Sequence, residues 1–120
     1  MIDAALRHLA HRLHGAGATE KITVEGAKDA DIVLVEGQGS INHPGYSGVT
    51  LGLLHGSCPN ALILCHQASR THLSEYRAKA WLAMPPLGEY IRLYEELGSA
   101  VWPTKVIGIS RTRNPFRTAR

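Results

Sequence analysis

Hydrophobic and polar positions along the chain follow two kinds of pattern. Near the start, Ile2, Leu6, Leu9 and Leu13 recur at helical spacing, joined by Ala10, while Arg7, His8, His11, Arg12 and His14 take the other side. This predicts an amphipathic helix over residues 3–14, with Asp3 as N-cap and Gly15 as its stop. The Gly-Ala-Gly-Ala run at 15–18 reads as a flexible break. Residues 87–97 give a cleaner helix. Leu87, Tyr90, Ile91, Tyr94 and Leu97 form one face, and Glu89, Arg92, Glu95 and Glu96 the other. Pro85 and Pro86 sit where a helix start tolerates proline, and Gly98 closes the pattern. Residues 46–55, with Val49, Leu51, Leu53 and Leu54, predict a third helix that ends at Gly56. Its glycines at 48 and 52 lower helicity but admit a neighbouring backbone.

Three further stretches are apolar without alternation: residues 32–35 (Ile-Val-Leu-Val), 61–65 (Ala-Leu-Ile-Leu-Cys) and 105–109 (Lys-Val-Ile-Gly-Ile). Such runs fit strands buried on both faces, as in a parallel sheet. Residues 22–24 fit a short strand or a helix end, and residues 71–84 a short helix or a loop. Strands alternating with helices predict an α/β fold with a partial parallel sheet of about three strands flanked by helices. Three strands leave two edges open.

Composition narrows the class. At 120 residues the chain is sized for one domain, and 44% hydrophobic with 19% charged residues is a globular balance. No apolar run spans a bilayer and no secretory signal opens the chain, so the expectation is a cytoplasmic protein with no membrane partner. The net charge is +3, but residues 111–120 alone carry four arginines and no acid. The remainder is therefore slightly acidic. The basic segment reads as a mobile tail and not as a nucleic-acid surface. Cys58 and Cys65 read as packing thiols.

Candidate chemistry gathers at predicted strand ends, where ligands bind in open α/β sheets. Glu36 ends the first apolar run and is followed by Gly37 and Gly39. A carboxylate so placed can hold Mg²⁺ in nucleotide-binding folds. The alternative is a glycine-rich turn with a solvated glutamate. His66 follows the second run, and Arg70 and His72 lie just beyond it. These three could line one anion-binding crevice. His43 precedes Pro44 in a loop. The sequence contains no Gly-x-x-x-x-Gly-Lys-[Ser/Thr] phosphate loop, no Gly-x-Ser-x-Gly elbow and no Gly-x-Gly-x-x-Gly fingerprint.

The run Val35-Glu36-Gly37-Gln38-Gly39-Ser40, continued by His43-Pro44-Gly45-Tyr46-Ser47-Gly48-Val49-Thr50-Leu51-Gly52-Leu53-Leu54-His55-Gly56-Ser57, closely resembles the C-terminal domain of a bacterial family long catalogued as a domain of unknown function. Members of that family include D-glutamate N-acetyltransferases. The resemblance continues through residues 61–66, Arg70-Thr71-His72, Pro85-Pro86-Leu87 and Leu93-Tyr94-Glu95, and covers roughly residues 24–110. It implies a Rossmann-like N-terminal domain followed by a P-loop NTPase-like domain similar to dethiobiotin synthetase. Glu36, Gly37 and Gly39 match the acidic-glycine strand end that sits near nucleotide phosphates and Mg²⁺ in those relatives. The chain lacks the family's N-terminal domain and its phosphate loop, and its last strand runs into Ser110-Arg111-Thr112-Arg113-Asn114 where the family usually shows an aliphatic-Asn-Thr segment.

The expected organisation is thus a helix and Gly/Ala linker over 1–20, the later part of a P-loop NTPase-like α/β domain over 21–110, and a basic tail over 111–120. The resemblance implies acetyl-CoA as acyl donor and an acidic D-amino acid as acceptor. Glu36, His66 and His72 are then the catalytic candidates. Gly37, Gln38, Gly39, Ser40, His43, Arg70 and Thr71 are the substrate-binding candidates, and Glu36 is the candidate Mg²⁺ ligand. Mg²⁺ or nucleotide binding requires the missing phosphate loop. The chain alone is expected to be inactive and to self-associate or pair with missing segments. The alternatives are a nucleotide-dependent ligase or kinase related to dethiobiotin synthetase, and a non-catalytic remnant or interaction module.

Overall fold

A computed structural model describes residues 15–37, 39–68, 70, 72–73 and 83–112. In chain order these form α1 (Gly15–Gly26), α2 (Ser47–Ser57), β1 (Ala61–Gln67), α3 (Leu87–Ser99) and β2 (Lys105–Thr112). The two strands pair in parallel, from Ala61 opposite Lys105 to Gln67 opposite Thr112, with an irregularity between Leu62 and Ile63. A parallel pair requires a crossover, and α3 lies in the connection that supplies it. The result is an α/β fold, as the alternation of patterns predicts.

The second and third apolar runs are β1 and β2, but the first is not a strand. Residues 32–37 have no regular hydrogen-bonded structure. Ile32 is 77% and Leu34 81% exposed, while Val33 and Val35 are half-buried. Apolar content encodes a wish for burial; a strand also needs a neighbour to complete its ladder. Among the described residues none pairs with this segment, so the sheet has two strands where three are expected.

Residues 15–18 are likewise not a flexible break: they are helical and belong to α1, which also takes in residues 22–24. The reason is tertiary. A Cβ on Gly56 would lie 2.1 Å from the Ala16 carbonyl oxygen, and one on Gly52 3.3 Å from the Gly15 backbone. Two glycines one turn apart on α2 thus let α1 approach at backbone distance, and burial of Ala18 and Thr19 fixes it there. Gly48, by contrast, faces open space.

At its other end α3 runs past Gly98 to Ser99. Gly98 does not close the helix but is buried in it, where a Cβ would meet Thr104 at 2.4 Å and Leu54 at 3.4 Å. Glu95 joins α3 to β2. Its carboxylate accepts the Val106 N–H at 2.9 Å and pairs with Lys105 Nζ at 3.0 Å. Ser40, Ile41, His43, Leu54, Leu73, Tyr90 and Thr104 lie at or near the packed centre, and all but Ser40 are buried. The expected helix over 3–14 and residues 113–120 of the basic segment lie outside the described residues. Arg111 and Thr112 belong to β2. Most of 71–84 is also outside; His72 and Ala83 form an isolated antiparallel bridge. Among the described residues no helix is long and apolar enough to cross a membrane.

Two outcomes follow from this packing. Gly56→Ala should destabilise the chain by about 1–3 kcal/mol in urea unfolding, because the obstacle is backbone. Gly48→Ala should be neutral or stabilising by up to about 1 kcal/mol. Equal losses from both would show that α1 does not sit on α2 as described. The Val106 amide, first, and the Lys105 ammonium hold the Glu95 carboxyl below the usual carboxylate range. Its stabilising contribution is therefore present above the unfolded pKa and fades as pH falls through the lower folded value. Glu95→Gln should accordingly lower stability at pH 7 and make little difference at pH 2–3; a loss independent of pH would contradict this.

Candidate functional site

Gly39 lets the backbone pass close against Tyr46. A Cβ there would come within 2.4 Å of the Tyr46 Cβ, so no other residue fits unmoved. The His43 N–H then donates to the Ser40 carbonyl at 2.9 Å. The Tyr46 and Ser47 N–H groups donate to the His43 carbonyl at 3.1 and 2.8 Å, which starts α2. The buried His43 ring accepts the Gly45 N–H on Nδ1 at 3.0 Å and lies 4.5 Å from the Tyr46 ring.

Helix α3 secures this turn from the opposite side. The Tyr90 hydroxyl is hydrogen-bonded to Ser40 and donates to Asn42 Oδ1, and Ser40 Oγ also donates to Asn42 Oδ1. One turn on, the Tyr94 hydroxyl accepts the Ile41 N–H at 3.1 Å. The two rings lie 5.7 Å apart. Burial pushes both phenols above the usual tyrosine value; hydrogen bonds to the 40–42 turn pull part of the way back. A buried tyrosine hydroxyl needs a partner, and here the partners are three successive residues of the turn.

Between the turn, the carboxyl end of β1 and α3 lies a cavity of about 320 Å³. Gly37, Gly39, Ser40, His43 and Tyr46 line one side. Leu64, Cys65, His66 and Gln67 come from β1, followed by Arg70. Leu73, Met84, Pro85, Leu87, Tyr90 and Tyr94 complete it. Its position beyond a parallel strand's carboxyl end is the expected one. No Asp or Glu is among these lining residues, so the cavity combines a guanidinium and two imidazoles with an apolar wall. That combination suits a small anion with an aliphatic part.

Six of the predicted site residues therefore meet around one cavity: Gly37, Gly39, Ser40, His43, His66 and Arg70. Glu36 and His72 are not among its lining. Glu36 is exposed, and His72 is half-buried at its bridge to Ala83. Gln38 and Thr71 lie outside the described residues. Among the described residues no group of three His, Cys, Asp or Glu converges as a metal site. Cys58 packs at the end of α2, with Sγ 3.1 Å from the His55 carbonyl. Cys65 differs from its reading as a packing thiol: it is exposed and lines the cavity. Sequence reasoning also missed Tyr46, Tyr90 and Tyr94. The signal available was the pair Tyr90 and Tyr94 on an otherwise aliphatic helix face, whose hydroxyls would need partners once buried.

The chain matches, over residues 11–117, the profile of a family described as a domain of unknown function, the DUF1611 C-terminal P-loop domain. It is 38% identical over 96 residues to a D-glutamate N-acetyltransferase of Pseudoalteromonas, covering 79% of this chain and 28% of that protein. A D-glutamate N-acetyltransferase of Tritonibacter scottomollicae is 52% identical over 58 residues, or 48% of this chain and 17% of that protein. The chain thus spans under a third of either relative. The crystal structure of a DUF1611 family protein from Anabaena variabilis superposes with a TM-score of 0.72 at 42% identity, over 81% of this chain and 28% of that one. The pattern of strands and helices, the glycine turn and these matches together show that the chain belongs to the DUF1611 family, through its C-terminal P-loop domain.

Proposed function

We propose that the cavity is the acceptor side of an N-acyl-transfer site that takes an acidic amino acid such as D-glutamate, with acetyl-CoA as donor. The observation that carries this reading is the meeting of Arg70, His66 and His43 around one cavity, with no acid among the described lining residues. The names of the two relatives supply the reaction class. In that reaction the amine nitrogen attacks the thioester carbonyl, the N–C bond forms, and coenzyme A leaves as the thiol once the amine proton has been passed on. Arg70 receives a carboxylate, a charge-assisted contact that suits its fork of donors. His66, at the end of β1, is the group in the cavity placed to take the amine proton. His43 adds a polar contact from the turn. Glu36 and His72, which stand away from the cavity lining, have no step in this scheme.

The chain by itself binds the acceptor but does not turn over, because nothing in its sequence supplies a phosphate loop or a recognisable donor-binding motif. The same lack disfavours a nucleotide-dependent ligase. Exposure of Ile32, Leu34, Ile63 and Ile107 favours self-association or pairing with a further segment.

Titration calorimetry of the 120-residue chain with D-glutamate should show saturable binding. Arg70→Ala should weaken it about tenfold or more. No binding by the unaltered chain would end the acceptor-site reading, and formation of N-acetyl-D-glutamate from acetyl-CoA would end the claim that the chain alone is inactive. Light scattering at micromolar concentration should give a mass above that of one chain; a clean monomer would count against self-association.

A further inference from the structure

The cavity is larger than an amino-acid acceptor alone requires. An apolar cavity of about 150 Å³ takes up benzene, roughly 25 Å³ for each non-hydrogen atom of the ligand. On that scale the about 320 Å³ here takes about thirteen such atoms. Glutamate fills about ten of these places and leaves about three, the size of an acetyl group.

The lining gives that surplus a chemistry. His66 and Gln67 end β1, and Arg70 lies just beyond. Arg70 is exposed, so the guanidinium stands at the open rim. The stretch leading into α3 contributes Leu73, Met84, Pro85 and Leu87, none of them polar. Leu73 is only 5% exposed, and the other three are half-buried. Both phenols of α3 are engaged by the turn: Tyr90 meets Ser40 and Asn42, and Tyr94 accepts the Ile41 N–H. This wall therefore gives a ligand apolar contact and little hydrogen bonding. A dicarboxylic amino acid has only a short methylene stem to lay against it.

Charge points the same way. A free amino acid brings an ammonium group toward Arg70 and two imidazoles, with no acid among the described lining residues to receive it. Acylation of the nitrogen removes that positive charge. An N-acyl amino acid keeps both carboxylates for the cationic rim and carries an acyl group for the apolar wall.

We propose that Leu73, Met84, Pro85 and Leu87 form an acyl subsite: the cavity holds the amino acid together with the acyl group attached to its nitrogen, and Met84 and Leu87 set the acyl length it accepts. This inference rests on the acceptor-site reading and adds to it the wall that receives the transferred group.

The test is calorimetric titration of the full chain with N-formyl-, N-acetyl- and N-butyryl-D-glutamate, which differ only in the acyl chain. The unaltered chain should bind the N-acetyl compound about fourfold more tightly than the N-formyl one, the scale of one buried methyl group. The N-butyryl compound should bind about fivefold or more weakly than the N-acetyl one, because it overfills the space. In Met84→Ala the last two should change order, with N-formyl affinity unchanged. Leu87→Ala, at a helix start where alanine is well tolerated, gives a second reading with the same expected reversal. Equal affinity of the unaltered chain for all three compounds would put the acyl group in solvent and overturn the inference, while the cavity remains an acidic-ligand site. Binding of D-glutamate but of none of the N-acyl compounds would overturn it in the same way. A uniform loss across the three compounds in both variants would make Met84 and Leu87 structural and overturn their role in acyl length. Binding of neither D-glutamate nor any N-acyl compound by the unaltered chain overturns the acceptor-site reading and this inference with it.

Discussion

Parallel strands cannot be joined by a tight turn, and that constraint makes α3 the element on which the rest depends. The chain must leave β1, travel back, and enter β2 in the same direction. Helix α3 does this and is tied at both flanks. Through Glu95 it holds the first residues of β2, and through Tyr90 and Tyr94 it holds the turn at residues 40–42. The three residues lie within six positions on one helix. A helix is stiff over that length, so the strand register and the cavity wall are set by the same body.

A second constraint is close approach. Gly52 and Gly56 bring the backbones of α1 and α2 together, Gly98 seats Thr104 and Leu54, and Gly39 seats Tyr46. A single Cβ would collide with its neighbour at Gly39, Gly56 and Gly98 and would crowd it at Gly52. Glycine lowers helix propensity, yet three of these four glycines lie inside helices, because tertiary contact outweighs a loss on the order of 1 kcal/mol per residue. The same balance makes a helix of the Gly-Ala-Gly-Ala run at 15–18.

The cavity inherits its chemistry from both constraints. β1 delivers His66 and, just beyond, Arg70; the glycine turn delivers Ser40 and His43; α3 delivers two phenols whose titration is displaced upward by burial. None of the described lining residues is acidic, so the Arg70 guanidinium meets no carboxylate among them. The chain covers less than a third of each curated relative.

By itself the sequence determined the elements whose periodicity was unambiguous. The Leu87, Tyr90, Ile91, Tyr94 and Leu97 face made α3, and the two aliphatic runs at 61–65 and 105–109 made β1 and β2. It also carried the glycine-rich motif after Glu36 that marks the family. Six cavity residues were legible because they cluster at strand ends and in that motif. Only the tertiary structure decided that residues 32–35 pair with no strand among the described residues, that residues 15–18 are helix, and that Glu36 and His72 are not among the described lining residues of the cavity. Periodicity records which side of an element seeks burial. It does not record which neighbour arrives to complete a ladder, how closely two backbones pass, or which distant group meets a buried hydroxyl. Those are decided by groups as much as fifty residues apart in the chain, as Ser40 and Tyr90 are.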